Sequence, residues 1–291
     1  MKKFLLYFIP LAIVLPIAFF VLSFFTGYDI HHNVSYGEKT ENVMDIYMPK
    51  NTEETVGAVL FIHGGSWQGG DKKEEAVRCR ILASRGYIAA SMNYTLRSDE
   101  NAENYTVFTV MDEISAALSQ IKSFAALRGV TVEKAALSGY SAGAHLSLLY
   151  AYSRAESAPL ALAFVSSMAG PADISAEAWG EDMAGLIGTL LLGVTLTGET
   201  IKSGEADGLL ASICPTSYVT ESAPPTLLIH GARDTTVPIA NAEALTEALE
   251  ANGIPYDFYR LEHSDHSLLQ NFFKHLSYYK LLVRYADTYL S

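Results

Sequence analysis

The sequence predicts an α/β fold: a mostly parallel central sheet with helices on both faces, a cap inserted between two late strands, and an apolar helix at the N-terminus. Three observations predict it. Short apolar runs alternate with segments of helical period along most of the chain. Several of those runs are continuously apolar, as strands covered on both faces must be. And a 22-residue stretch near the start, residues 4–25, carries no charge at all.

That first stretch follows Lys2 and Lys3. As a helix it would extend about 33 Å, enough to cross a bilayer core. Pro10 and Pro16 would kink it, which a membrane helix tolerates. Positive charge before the run places the N-terminus inside and all that follows outside the cytoplasm. A cleaved secretory signal is the main rival, although such apolar regions usually run only ~7–15 residues. Ser23-Phe24-Phe25-Thr26 matches a cleavage site poorly, and Val21-Leu22-Ser23 is a weak alternative. A buried core helix is the third reading. Residues 1–27 are therefore expected to be a membrane anchor or signal, and residues 28–291 one domain.

The elements of that domain follow in order. Residues 34–36 and 43–48 read as short strands, with Gly37 and Asn42 supplying turn chemistry between them. Residues 56–62 form a continuous apolar run ending at a glycine pair, a buried strand. Residues 72–85 read as helix and 87–94 (YIAASMNY) as strand. The period of 110–127 puts Ile114, Leu118 and Ile121 on one helical face. Strand 134–137 and helix 142–154 come next, then apolar strands at 160–166 and 226–230. Helix 241–252 stops at Gly253, strand 256–261 follows, and helix 268–290 closes the chain. Residues 170–222 break the alternation and read as the cap. Within it, 185–196 (GLIGTLLLGVTL) is too short to span a membrane. It is read either as a lid over an acyl pocket or membrane-facing entrance, or as a cap helix packed on the core.

Composition narrows the class. The chain of 291 residues is 49% hydrophobic, ample to offset the ordering entropy that keeps polar chains disordered. Its formal charge is −12. The N-terminal segment holds two of the 20 basic residues and none of the 32 acidic ones, so the remainder sets 18 against 32, a charge of −14. Such a surface lacks the basic footprint that nucleic acid requires and repels polyanions and anionic lipid. Two cysteines, Cys79 and Cys214, cannot build a disulfide scaffold or a four-cysteine zinc site. Both are expected as buried thiols, with a helix-to-cap disulfide as the alternative.

Four places carry chemistry. Gly139-Tyr140-Ser141-Ala142-Gly143 lies between a predicted strand and a predicted helix. A nucleophilic serine on a strained elbow needs small residues two before and two after it. The pattern alone matches by chance in about one chain in ten, so the strand before and the helix after give it weight over a plain helix N-terminus. His63-Gly64-Gly65-Ser66-Trp67 follows the strand at 56–62. Acyl transfer builds charge on a carbonyl oxygen, and glycines let backbone N–H groups approach it. Gly64, Gly65 and Ser66 are candidate donors, with the N–H of Ala142 completing the set. His63 reads as structural, orienting the loop.

His230-Gly231-Ala232-Arg233-Asp234 follows the strand at 226–230. Asp234 there can orient a histidine and stabilise its imidazolium, or it can simply cap the next helix. Asp173 is the runner-up acid. Glu262-His263-Ser264-Asp265-His266 follows the last strand. Histidine suits a general base because its pKa lies near working pH. His266 is favoured as deeper in the loop, and His263 reads as a structural extension of the strand.

Taken together, HGGSW, GYSAGAH, HGARDTTVP and SDHS resemble the α/β-hydrolase superfamily, from about Val34 to the C-terminus. The branch they look most like is the carboxylesterase-like group with an HGG-x-W oxyanion loop. That group includes BD-FAE-type feruloyl and acetylxylan esterases, kynurenine-formamidase-like enzymes and isoprenylcysteine-methylesterase-like proteins. The resemblance implies Ser141 as nucleophile, Asp234 as acid, His266 as base, and Gly65, Ser66 and Ala142 as oxyanion donors. His145 matches the group's trailing histidine and is expected to pack. Tyr140 stands where many relatives carry histidine.

The expected activity is hydrolysis of a small or medium carboxylic ester through an acyl-enzyme, with no metal or organic cofactor and with the membrane engaged through the N-terminal helix. Secretion is expected instead if that helix is cleaved. An amidase, formamidase or peptidase on the same residues is the alternative, and a non-catalytic binding protein on this fold is a further one.

Overall fold

The computed structural model describes residues 26–51 and 57–291. The expected apolar membrane segment lies outside them. Among the described residues no helix is long and apolar enough to cross a membrane.

Eight strands form one sheet: β1 (Tyr28–Ser35), β2 (Val43–Pro49), β3 (Ala58–Ile62), β4 (Ile88–Met92), β5 (Lys134–Tyr140), β6 (Ala161–Met168), β7 (Thr226–Gly231) and β8 (Tyr256–Leu261). Their spatial order is β1-β2-β4-β3-β5-β6-β7-β8. β2 runs antiparallel to both β1 and β4, and every pair from β4 to β8 is parallel. The helices are α1 (Ala76–Ala83), α2 (Val107–Ala126), α3 (Ala142–Ser153), α4 (Ala176–Trp179), α5 (Glu181–Leu192), α6 (Gly198–Lys202), α7 (Asp207–Ala211), α8 (Ala240–Ala251) and α9 (Phe272–Tyr289).

The continuous apolar strands fold as their composition requires. All five residues of β3 are buried. Ala58, Leu60 and Ile62 face one core, with Val110, Ile114 and Leu118 of α2 and Leu245 of α8. Val59 and Phe61 face the other, with Leu82 of α1 and Leu282 of α9. Helix α3 is buried along nearly its whole length, mostly apolar on every side, and its buried His145 and Ser147 are each hydrogen-bonded to a backbone carbonyl.

Several boundaries differ from the sequence reading. β1 is eight residues long, where only 34–36 reads as strand. It is an edge strand with most residues partly exposed, and a register shift between His31 and Val34 breaks the alternation that would betray it. The segment 72–85 is not one helix. Asp71 caps a 3-10 turn at Lys72–Glu75, and α1 begins only at Ala76. β5 runs to Tyr140 rather than stopping at 137, so the glycine-serine motif grows directly out of a strand.

The cap occupies the connection between β6 and β7 and contains α4 to α7. The alternative of a disulfide fails. Cys79 and Cys214 are free and buried in the two different cores, with the sheet between them. Burial pushes both thiols up, that of Cys214 to about 12.

Candidate functional site

The four motifs meet at the carboxyl ends of β3, β5, β7 and β8, where open parallel sheets collect their ligands. The register pairs Ile62 of β3 with Gly139 of β5. The loops that leave these two strands are therefore neighbours by construction.

Ser141 sits between β5 and α3 with φ 53° and ψ −120°. A non-glycine residue there is strained by roughly 1–3 kcal/mol, held by the surrounding structure. Its N–H donates to the Met168 carbonyl at 2.8 Å. The first turn of α3 lies so close over the strand ends that a Cβ on Gly143 would come within 2.0 Å of the Ile62 oxygen. A Cβ on Gly139 would sit 2.2 Å from the Gly143 carbonyl.

His266 lies in the loop after β8. Its Nε2 is 3.0 Å from Ser141 Oγ, and its Nδ1 is 2.7 Å from Asp234 Oδ2. Asp234 is buried in the loop after β7. Its Oδ1 accepts from the N–H groups of Thr236 and Val237, both at 2.8 Å. Burial alone would push this carboxyl up. The hydrogen bonds from His230, His266 and the Val237 backbone more than reverse that, so it lies well below the usual carboxylate range. His230 closes the loop: its Nε2 donates to the Val237 carbonyl at 2.9 Å and faces Asp234 Oδ2 at 3.4 Å.

The loop after β3 turns tightly over the elbow. Gly65, Ser66 and Trp67 all have positive φ. Gly64 approaches so closely that a Cβ there would lie 3.3 Å from Ser141 Cβ. Among the described residues, the N–H groups of Gly65 and Ser66 donate to no backbone carbonyl. Ser66, Ser141 and Ala142 line a cavity of about 550 Å³; Gly64 and Gly65 do not. His63 is buried behind the loop, stacked on Tyr94 at 4.5 Å, with Nδ1 donating to the Gly64 carbonyl at 2.7 Å. Burial pushes its imidazole down, so it stays neutral.

The remaining sequence candidates lie apart from this relay. The Asp173 carboxylate accepts from the Ser175 N–H and hydroxyl, both at 3.0 Å, at the entrance to the cap. His263 lies beyond the end of β8, exposed, with Arg233 donating to its Nδ1 at 3.4 Å. It does not extend the strand. His145 packs edge-on against Trp67, but it also donates through Nε2 to the Ile213 carbonyl at 2.8 Å, joining α3 to the cap.

Sequence reasoning missed two contributors. The Tyr140 hydroxyl donates to the His266 backbone carbonyl at 2.8 Å, and its ring lies 5.2 Å from that imidazole. Burial, with Asp234 nearby, pushes this phenol up to about 12, so it remains a donor at neutral pH. Its place beside Ser141 was the available signal. Arg97, in the loop after β4, also lines the cavity, and no spacing in the sequence links it to Ser141. Cap helix α5 turns one face inward through Ala184, Ile187 and Leu191. It also lends Met183, Leu186 and Leu190 to the cavity wall. Among the described residues no group of three or more His, Cys, Asp or Glu is arranged to hold a metal.

A serine on a strand-to-helix elbow, with a histidine and an aspartate reaching it from later strand ends, defines the class of the α/β-hydrolases. The chain belongs to the BD-FAE family, whose model matches residues 44–249, within the carboxylesterase-like part of that class. It is 27% identical over 265 residues to a probable isoprenylcysteine alpha-carbonyl methylesterase of Oryza sativa subsp. japonica, covering 85% of this chain and 59% of the relative. It is 29% identical over 117 residues to a kynurenine formamidase of Salmo salar, covering 40% of this chain and 37% of that one. The chain thus spans little more than half the length of the methylesterase it matches. Among solved structures, a truncated carbohydrate esterase from gut microbiota superposes with a TM-score of 0.70 at 19% identity, over 88% of this chain and 96% of that one. Esterase B of Lactobacillus rhamnosis, inhibited by a tributyrin phosphonate, gives 0.69 at 20% identity, over 99% and 96%. At these identities the two structures show a shared fold.

Proposed function

We propose that the protein is a serine hydrolase that cleaves a carboxylic ester of a small or medium substrate through an acyl-enzyme. The observation that carries this is the continuous relay from Ser141 Oγ through His266 to Asp234, at 3.0 and 2.7 Å. His266 Nε2 takes the serine proton as Oγ attacks the carbonyl carbon. Asp234 holds the proton on Nδ1 and stabilises the imidazolium that forms. The oxyanion rests on N–H groups of Gly65, Ser66 and Ala142, each such donor worth about 3–4 kcal/mol in the transition state. His266 then returns the proton to the leaving alcohol, and water activated by the same imidazole releases the acid. The relatives named as esterases support the choice of an ester. The stretch shared with a kynurenine formamidase makes a formamide the second substrate to assay.

In the test, Ser141→Ala should retain the fold and lose hydrolysis of p-nitrophenyl acetate and labelling by a fluorophosphonate probe. Full activity in that variant would sink the assignment. We further propose that residues 4–25 anchor the domain on the outer side of a membrane, supported by the uncharged run behind Lys2 and Lys3. Carbonate-resistant membrane association, lost on removing residues 1–27, is the expected result.

A further inference from the structure

The cavity beside Ser141 is not uniformly apolar. Its cap side is mostly hydrocarbon, from Met183, Leu186 and Leu190 with Thr189 among them, and Arg97 stands in its wall. The position of Arg97 is fixed, because its backbone N–H donates to the Trp67 carbonyl at 2.8 Å and so ties it to the loop over the elbow. Its side chain is only 19% exposed. The ion pair it makes is weak: Asp99 lies 3.7 Å away and is fully exposed. The nearby carboxylate of Glu113 is engaged elsewhere, by Lys39 Nζ and by the backbone and hydroxyl of Thr95.

Arg97 Nε is buried without a hydrogen-bond partner among the described residues, so it is the outer Nη pair of the guanidinium that would meet a ligand, and Trp67 Nε1 is likewise closed off from the cavity. Trp67 is itself 5% exposed. A donor without a partner is costly, and more so when it is charged. A guanidinium answers best to a planar anion, whose two oxygens accept from its fork. An apolar wall followed by an under-neutralised arginine fits a chain that begins at the reacting carbonyl and ends in a carboxylate.

Resting on the esterase reading above, we infer that Arg97 is a specificity-determining residue that selects esters whose acyl chain carries a carboxylate. Arg97 binds that group; it takes no part in proton transfer.

The test uses the full chain and two esters, mono-p-nitrophenyl adipate and p-nitrophenyl hexanoate. Wild-type kcat/KM should favour the adipate ester by about tenfold or more, from one charge-assisted pair. Arg97→Gln should lower the adipate value by roughly 10- to 100-fold, mainly through KM, and so cut the adipate-to-hexanoate ratio by about tenfold or more. Arg97→Lys should fall between, keeping the charge and losing the fork. No preference in the wild type, or an equal loss on both esters in Arg97→Gln, overturns the inference while the esterase reading stands. Calorimetric binding of adipate to Ser141→Ala protein separates the two ideas. Adipate should bind, and adding Arg97→Gln should weaken it about tenfold or more. Absence of binding overturns the role of Arg97 whatever the turnover, whereas binding without hydrolysis of either ester by the wild type overturns the esterase reading.

Discussion

Replacing Asp234 by asparagine changes one atom and reverses a direction of donation. Asp234 Oδ1 accepts from two backbone N–H groups, while Oδ2 faces His266 Nδ1 at 2.7 Å and His230 Nε2 at 3.4 Å. The two backbone donors admit only an oxygen, so the amide NH2 must take the place of Oδ2. An NH2 only donates. His266 would then present a bare Nδ1 and carry its proton on Nε2, which lies 3.0 Å from Ser141 Oγ. A nitrogen that bears a proton cannot take one from the serine. A wrong tautomer of this kind costs about 10⁴ in kcat, or ~5.4 kcal/mol of barrier. His230, which donates to Val237, would also face a second donor, so a stability loss of about 1–3 kcal/mol should accompany it. The assay is steady-state hydrolysis of p-nitrophenyl acetate by Asp234→Asn protein shown to be folded by circular dichroism. Asp173→Asn serves as the control and should stay within about threefold, since its carboxylate is held by Ser175. The reasoning is refuted if Asp234→Asn keeps more than a tenth of wild-type kcat, or if Asp173→Asn is the variant that loses it.

Three further outcomes are expected. Tyr140→Phe keeps the ring beside His266 but removes the bond to its carbonyl, so kcat should fall about three- to tenfold, from ~0.5–1.5 kcal/mol of lost positioning; an unchanged rate would deny Tyr140 that role. Gly143→Ala places a methyl about 2.0 Å from the Ile62 oxygen, so backbone must shift, and the variant should be poorly soluble or inactive; wild-type expression and rate would contradict the packing described. Stability should fall below pH 6.5, because burial pushes the His145 imidazole down to about 4 in the folded state. The unfolded chain then binds a proton that the folded one does not, which costs up to ~1.4 kcal/mol per pH unit between those two values. Denaturant titrations of His145→Gln should show a shallower pH slope in that window, and an identical slope would exclude His145 as its source.

Much of this protein was decided locally. The short, largely apolar runs of β3, β6 and β7, bounded by turn residues and alternating with helical segments, read as strands covered on both faces, so an α/β sheet was legible from local pattern. The glycines flanking Ser141, and the loops carrying Asp234 and His266 after their strands, are equally local, because strained turns demand particular residues at fixed spacing. β1 was not legible at full length, since an edge strand with a bulge shows neither burial nor alternation. Nor was the contact of Tyr140 with His266, 126 residues further on, or the approach of Arg97 to the elbow. Those contacts depend on strand register and on how the cap folds back, which are set by packing among distant segments and leave no periodic trace in the chain. The sequence by itself determined which chemistry the site could hold. The tertiary structure alone decided what else surrounds that chemistry: an apolar cap wall on one side and an under-neutralised arginine on the other.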